Sequence, residues 1–166
     1  ALVARLGDAL KAPKDQLEER LVSTIEELKA AQRKLSALQT GQLVTRVPEL
    51  INSAVSIGKA KLVAADLGDL GSVEDLRTIA VALRDKVSNE SSIISVFGTI
   101  EGKPMVVIAT TAASRDHGFK AGALVRVASA VLGGGGGGKD DMAQGGGSDS
   151  GKIAEAISAI KEALSV

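Results

Sequence analysis

The stretch GGGGGGKDDMAQGGG, Gly133 to Gly147, concentrates the residues of this chain whose types and spacing could do chemistry. Gly133, Gly134, Gly135, Gly136, Gly137 and Gly138 run into Lys139, and Gln144, Gly145 and Gly146 lie beyond two aspartates, Asp140 and Asp141. One reading is a nucleotide-phosphate loop. Gly133 to Lys139 fits the spacing G-x-x-x-x-G-K, in which peptide N–H groups cradle phosphates and the lysine reaches them. That motif continues with Ser or Thr to hold magnesium, and here Asp140 follows. It also joins a strand to a helix, whereas the pattern before Gly133 is helical. A second reading is a flexible linker. Only one amphipathic helix lies beyond, however, and a lone helix of that length is marginal in water. It must dock on the preceding domain, so the glycines fall inside a folded unit. The third reading is a surface for close approach. Without Cβ atoms another backbone can come near, and free N–H groups can meet phosphate or sugar oxygens. Lys139 then meets a phosphate and Gln144 reads a ribose or a base edge. Asp140 and Asp141 oppose a simple electrostatic grip, and cap turns or bond sugar hydroxyls instead.

Other polar residues narrow the chemistry. Arg115, Lys120 and Arg126 precede or open the helix leading into the glycines, and with Lys103, Lys139 and Lys152 they form a candidate basic rim. The alternative for each is ordinary solvated charge. His117, in SRDHGF, is the only histidine, and there is no cysteine. A thiolate zinc site and a cysteine nucleophile are therefore excluded, and His117 reads as a turn residue. Asp66, Asp69, Glu74 and Asp75 form an acidic run that helix N-terminal acids largely explain. No catalytic residue, metal or cofactor is expected. The 20 basic and 20 acidic residues cancel, unlike a strongly basic non-specific nucleic-acid binder. Phe97 and Phe119 are the only aromatics, so base stacking on Tyr or Trp is unavailable.

The elements that must position these residues follow from periodicity. Leu21, Leu28 and Leu35 recur every seven residues, with Leu17, Thr24, Ala31 and Leu38 as a second seam. Lys14 to Thr40 therefore reads as a long helix, either a coiled-coil arm or an amphipathic helix lying on its own domain, broken at Gly41. A short helix with Pro48 in its first turn follows. Leu62 to Leu67 is a strand candidate. SVEDLRTIAVALRDKV is a helix, with Ser72 and Asp75 resembling a capping box. SSIISVFGTI and PMVVIATT are strands of a hairpin across Glu101 to Pro104. Phe119 to Leu132 is a small-sided helix, and a last helix starts after Asp149 or Ser150. The expected class is α/β: a helical, coiled-coil-like subdomain over 1–58, then a small globular α/β domain over 59–166 with a three- to four-stranded sheet and a glycine-rich loop over 133–147. No apolar run approaches a membrane span and no signal-peptide pattern opens the chain. Its first residue is Ala, as expected of a piece cut from a longer protein.

At GGGGGGKDDMAQGGG, followed by an amphipathic helix, the chain resembles the C-terminal domain of bacterial alanyl-tRNA synthetases. PMVVIATTAASRDHGFKAGALVRVASAVLGG, Pro104 to Gly134, resembles the same family's strand and helix, and the helical stretch 14–40 sits where that family has a helical subdomain. The glycine part is similar to the domain associated with DHH phosphoesterases, where a Gly-Gly-Gly-His pattern contacts nucleic acid. Here Lys139 to Asp141 replace that histidine, so contacts depending on it do not carry over. The resemblance implies a cytoplasmic, non-catalytic domain that binds the elbow of alanine tRNA. It implies a part in coupling the aminoacylation and editing modules, and in dimerisation through the helical or the globular part. The implied nucleic-acid contacts are the glycines 133–138, Lys139, Gln144, Gly145, Gly146, Lys120 and Arg115. The alternative is a structural homodimerisation module without RNA contact.

Overall fold

The computed structural model describes residues 1–166, which form two compact units, Ala1–Leu38 and Gln39–Val166. In the first, α1 (Leu2–Leu10) ends at Lys11 in a left-handed conformation with φ 51°. A 3₁₀ turn at Lys14–Gln16 leads into α2 (Leu17–Val44), no residue of which is buried. The predicted heptad seam is present and open to solvent: Leu21, Leu28, Leu35 and Leu38 are all exposed. Gly41 does not break the helix as expected. A side chain there would meet nothing within 4 Å. It is thus a surface position where glycine weakens the helix by about 1 kcal/mol without stopping it. No helix of the chain is long and apolar enough to cross a membrane.

The second unit continues with α3 (Val47–Asn52), which has Pro48 in its first turn. The order is then β1 (Val55–Ile57), β2 (Ala60–Asp69), α4 (Val73–Lys86), β3 (Ser92–Ile100), β4 (Lys103–Thr110), α5 (Ala112–Asp116), α6 (Ala121–Val131), β5 (Gly136–Gly138), β6 (Met142–Gly146) and α7 (Ile153–Leu164). The strands form one sheet in the order β1-β2-β3-β4-β6-β5. Only β2 and β3, joined through α4, are parallel. The α/β class stands, but the sheet has six strands rather than three or four. The additional ones are short β1 and two strands from the glycine segment, a composition that propensity rejects.

Alternation along the strands divides the core between two faces. Leu62, Ile93, Phe97, Val106 and Ile108 pack with α6 and α7. Val63, Ile94, Val96, Val107 and Ala109 pack with α3 and α4. The β3–β4 turn consists of Glu101 and Gly102, with φ of 50° and 78°. Two positive values mark a type I′ turn, whose twist suits a hairpin. The capping box at α4 is not formed. Ser72 makes no side-chain cap, and Asp75, buried, accepts the Thr40 hydroxyl at 2.7 Å. Asp149 caps the turn before α7, its carboxylate accepting from Gly151 N–H at 3.0 Å.

The predicted glycine loop is a hairpin. It begins by ending α6: Gly133 takes φ 78°, Gly134 N–H donates to Ser129 O at 2.9 Å and Gly133 N–H to Ala130 O at 3.3 Å. This paired arrangement is a Schellman stop. The strands then pair with Gly136 opposite Gly145 and Gly138 opposite Ala143. Alternate glycines face α6. A Cβ at Gly136 would stand 2.5 Å from Gly145 Cα and 2.6 Å from Val125 Cγ1, and one at Gly145 would run into Ser129 Oγ. The others face away: a Cβ at Gly135 or Gly137 would meet nothing within 4 Å. Gly146 N–H donates to Gly135 O and Lys139 N–H to Met142 O. This phase turns the peptide groups of Gly136 toward the open edge of the sheet.

The alternation gives a direct check by urea unfolding. Gly136→Ala and Gly145→Ala are each expected to destabilise the domain by about 1–3 kcal/mol through overpacking. Gly135→Ala and Gly137→Ala are expected to be neutral or stabilising by up to about 1 kcal/mol. Equal effects at all four positions would contradict this packing. Glu101→Asn is expected to stabilise by about 0.5–1 kcal/mol, because asparagine adopts the left-handed conformation of a type I′ turn more readily.

Candidate nucleic-acid interface

The two helical layers cover the sheet unequally. α4 packs over β3 and β4, whereas α6 packs over β4, β6 and β5. On the α4 side the glycine hairpin therefore extends beyond its helical cover. A groove of about 470 Å³ results, lined by Arg77, Val81 and Arg84 of α4 and by Gly137, Lys139, Asp141 and Gln144 of the hairpin, among others. Arg77 and Arg84 are two helical turns apart and flank the core positions Leu76 and Leu83, which fixes them on the rim. The open face of Gly137 contributes a stretch of bare peptide to the floor beside Met142, and its register partner Gln144 is exposed next to it.

The polar geometry is loose at the rim and tight beneath it. Arg84 Nη1 lies 3.9 Å from Asp141 Oδ2, with side-chain exposures of 25% and 50%. The same nitrogen donates to Asp141 O at 3.5 Å. Arg77 lies 3.9 Å from Glu74 in the same helix. No carboxylate is within ion-pair distance of the Lys139 ammonium. Past Asp141 a second hollow is lined by Arg84, Asp85, Ser88 and Arg115. Arg115 donates to Thr110 O at 2.6 Å, and the Thr110 hydroxyl donates to Asp140 O at 2.6 Å. The turn over 139–141 is thereby tied to β4. Chemically this is a strip of guanidinium and ammonium groups beside bare peptide, suited to phosphate and ribose.

Not every residue singled out from the sequence is brought here. Gly137, Gly138, Lys139 and Gln144 line the groove, and Arg115 lies in the adjoining hollow. Gly133 and Gly134 belong to the helix stop. Gly136 and Gly145 face α6, and a Cβ at Gly146 would stand 2.6 Å from Met105 Sδ. Lys120, at the N-cap of α6 in the opposite layer, pairs with Asp140 at 3.2 Å. Arg126 is exposed on α6. The basic rim is thus divided between layers. Arg77 and Arg84 were missed from sequence. Their seven-residue spacing on one helix flank was the available signal, but which neighbour that flank meets depends on strand order. His117 Nδ1 lies 3.1 Å from Ser91 Oγ, and neither lines the groove. No group of three or more His, Asp or Glu is placed to hold a metal ion.

Comparison with known proteins places this architecture. Residues 59–166 match the model of the DHHA1 domain. The chain is 44% identical over 164 residues to an alanine–tRNA ligase of Paenarthrobacter aurescens (strain TC1), covering 99% of this chain and 18% of that relative. An alanine–tRNA ligase of Renibacterium salmoninarum is 43% identical over 164 residues, with the same coverage. The chain thus spans under a fifth of the length of these relatives. The crystal structure of the C-Ala domain from Aquifex aeolicus alanyl-tRNA synthetase matches with a TM-score of 0.62 and 30% identity, covering 69% of this chain and 99% of that one. By sequence and fold, the chain belongs to the DHHA1 family and, within it, to the C-terminal C-Ala domains of alanyl-tRNA synthetases.

Proposed function

We propose that this chain is the non-catalytic tRNA-binding part of a cytoplasmic alanine–tRNA ligase, and that the groove between α4 and the glycine hairpin receives the elbow of alanine tRNA. The observation that carries the reading is the rim of Arg77, Arg84 and Lys139 over the bare floor at Gly137. Guanidinium groups match phosphate oxygens in a bidentate way. A floor without a side chain lets a sugar-phosphate backbone come down to the peptide, and Gln144 then reaches ribose. A chain with zero net charge and no Tyr or Trp has neither a strong non-specific attraction nor a stacking platform. Recognition of folded RNA by the shape of its backbone suits such a surface. In this reading the chain helps bring the ligase's aminoacylation and editing modules onto one tRNA, with the helical unit setting the distance.

A second role has its own support. The α2 seam leaves Leu28 and Leu35 each 57% exposed and Leu38 60% exposed. A heptad face so open suits pairing with a second copy, and a purely structural dimerisation module is the rival to RNA binding.

Gel shifts with transcribed alanine tRNA, against a transcript lacking its D and T loops, test the main reading. The full transcript is expected to bind more tightly. Arg77→Ala with Arg84→Ala is expected to weaken binding by at least about tenfold and to lower the salt slope by about two. Gly137→Val, which fills the floor, is expected to weaken it while circular dichroism stays unchanged. Unaltered binding in these folded variants would reject the groove. Sedimentation reads the second role: Leu28→Glu with Leu35→Glu is expected to convert a dimer into a monomer, and a wild-type monomer at all concentrations would reject it.

A further inference from the structure

The two aspartates of the hairpin turn stand beside cations, Asp141 in the groove and Asp140 against Lys120, and the sequence alone leaves open whether they cap turns or bond sugar hydroxyls. Their backbones are immobilised. Thr110 N–H donates to Asp141 O at 3.0 Å, and Ala121 N–H donates to Asp140 O at 2.9 Å. The peptide that carries the Asp141 side chain is therefore held at the groove wall. The ion pair of Asp141 with Arg84 is long, at 3.9 Å, and Asp141 is half exposed. A pair of that kind contributes only about 0–1 kcal/mol to stability. Arg84 also holds the Asp141 carbonyl, so its guanidinium keeps an anchor when the carboxylate takes another partner. Across the sheet these groups follow the strand order: Lys139 stands at the end of β5, Asp141 at the start of β6, and Arg84 on α4 over β4, a carboxylate between two cations.

A carboxylate only accepts hydrogen bonds, so it repels phosphate and welcomes a hydroxyl donor. A ribose 2′-OH is such a donor, and deoxyribose has none. We infer that Asp141 is the residue that makes the groove selective for RNA over DNA: it accepts from a ribose 2′-OH between phosphates held by Lys139 and Arg84, and repels backbones that offer no hydroxyl. The inference rests on the RNA-binding reading and adds to it the class of backbone admitted. Asp140 serves as an internal control, because its partner is Lys120 at 3.2 Å and it does not line the groove.

The test compares binding of transcribed alanine tRNA and its all-deoxy counterpart to the folded wild-type chain and to variants. The wild type is expected to prefer RNA. Asp141→Asn removes the repulsion but keeps an acceptor. It is expected to improve binding to the deoxy form and to shrink the RNA-to-DNA ratio by about three- to fivefold, the effect of a half-exposed charge. Asp140→Asn is expected to leave the ratio within about twofold of wild type, as a charge outside the groove. If Arg84→Ala weakens both ligands while Asp141→Asn leaves the ratio unchanged, the selectivity role is overturned and RNA binding by the groove stands. If the wild type binds neither ligand, both fall.

Discussion

The architecture of the globular unit depends on the contact between α6 and a hairpin that presents mostly bare glycine to it, beside the methyl group of Ala143. Val125 Cγ1 and Ser129 Oγ come down to the level of the strand backbone at Gly136 and Gly145. At the N-terminal end of the helix the closeness is mutual, since a Cβ at Gly122 would stand 3.0 Å from the Gly138 carbonyl oxygen. Glycine in a strand is unfavourable by itself, through lost chain entropy and missing cross-strand contacts. Here the loss is offset by dense packing of the helix on peptide planes, the kind of contact that dispersion rewards. A core of Ala, Val, Ile and Leu with one fully buried aromatic, Phe97, needs such economy of volume.

That contact also decides what the opposite side of the sheet offers. Because α6 covers the hairpin and β6 pairs with β4, β5 and β6 stay attached to the sheet with only marginal contact to α4, at Arg84 and Met142. α4 can then end its cover at β4 and leave a trough. The arginines on its flank become a wall, and the outward-facing Gly137 becomes part of a floor. The same residue type thus does two jobs at successive positions: Gly136 admits a helix, and Gly137 leaves room for whatever enters the groove.

Much of this was legible in the sequence, and the limits have physical causes. The long helix, the β3–β4 hairpin, the small-sided helix before the glycines and the amphipathic last helix each carry a strong local period or turn signal, and all are present. The glycine strands carry none. Their pairing is set by α6 and β4, so only the tertiary fold reveals it. Gly41 looked like a stop because a helix end and a tolerated surface glycine are alike in one sequence. Asp75 looked like part of a cap, yet its carboxylate accepts from Thr40, remote in the chain. In the candidate site Lys139 and Gln144 were found through their neighbours in the motif. Arg77 and Arg84 were not, because they come to the groove from a distant segment across the sheet.

The free margin at β5 has a further consequence for behaviour in concentrated solution. An outermost strand is ordinarily a template on which other molecules pair and grow into fibres. A margin of glycine offers an incoming strand hydrogen bonds but no interdigitating side chains, and so no dry zipper to hold stacked sheets together. The residues that let the hairpin fit beneath its helix thereby also make this border of the sheet a poor seed for self-assembly.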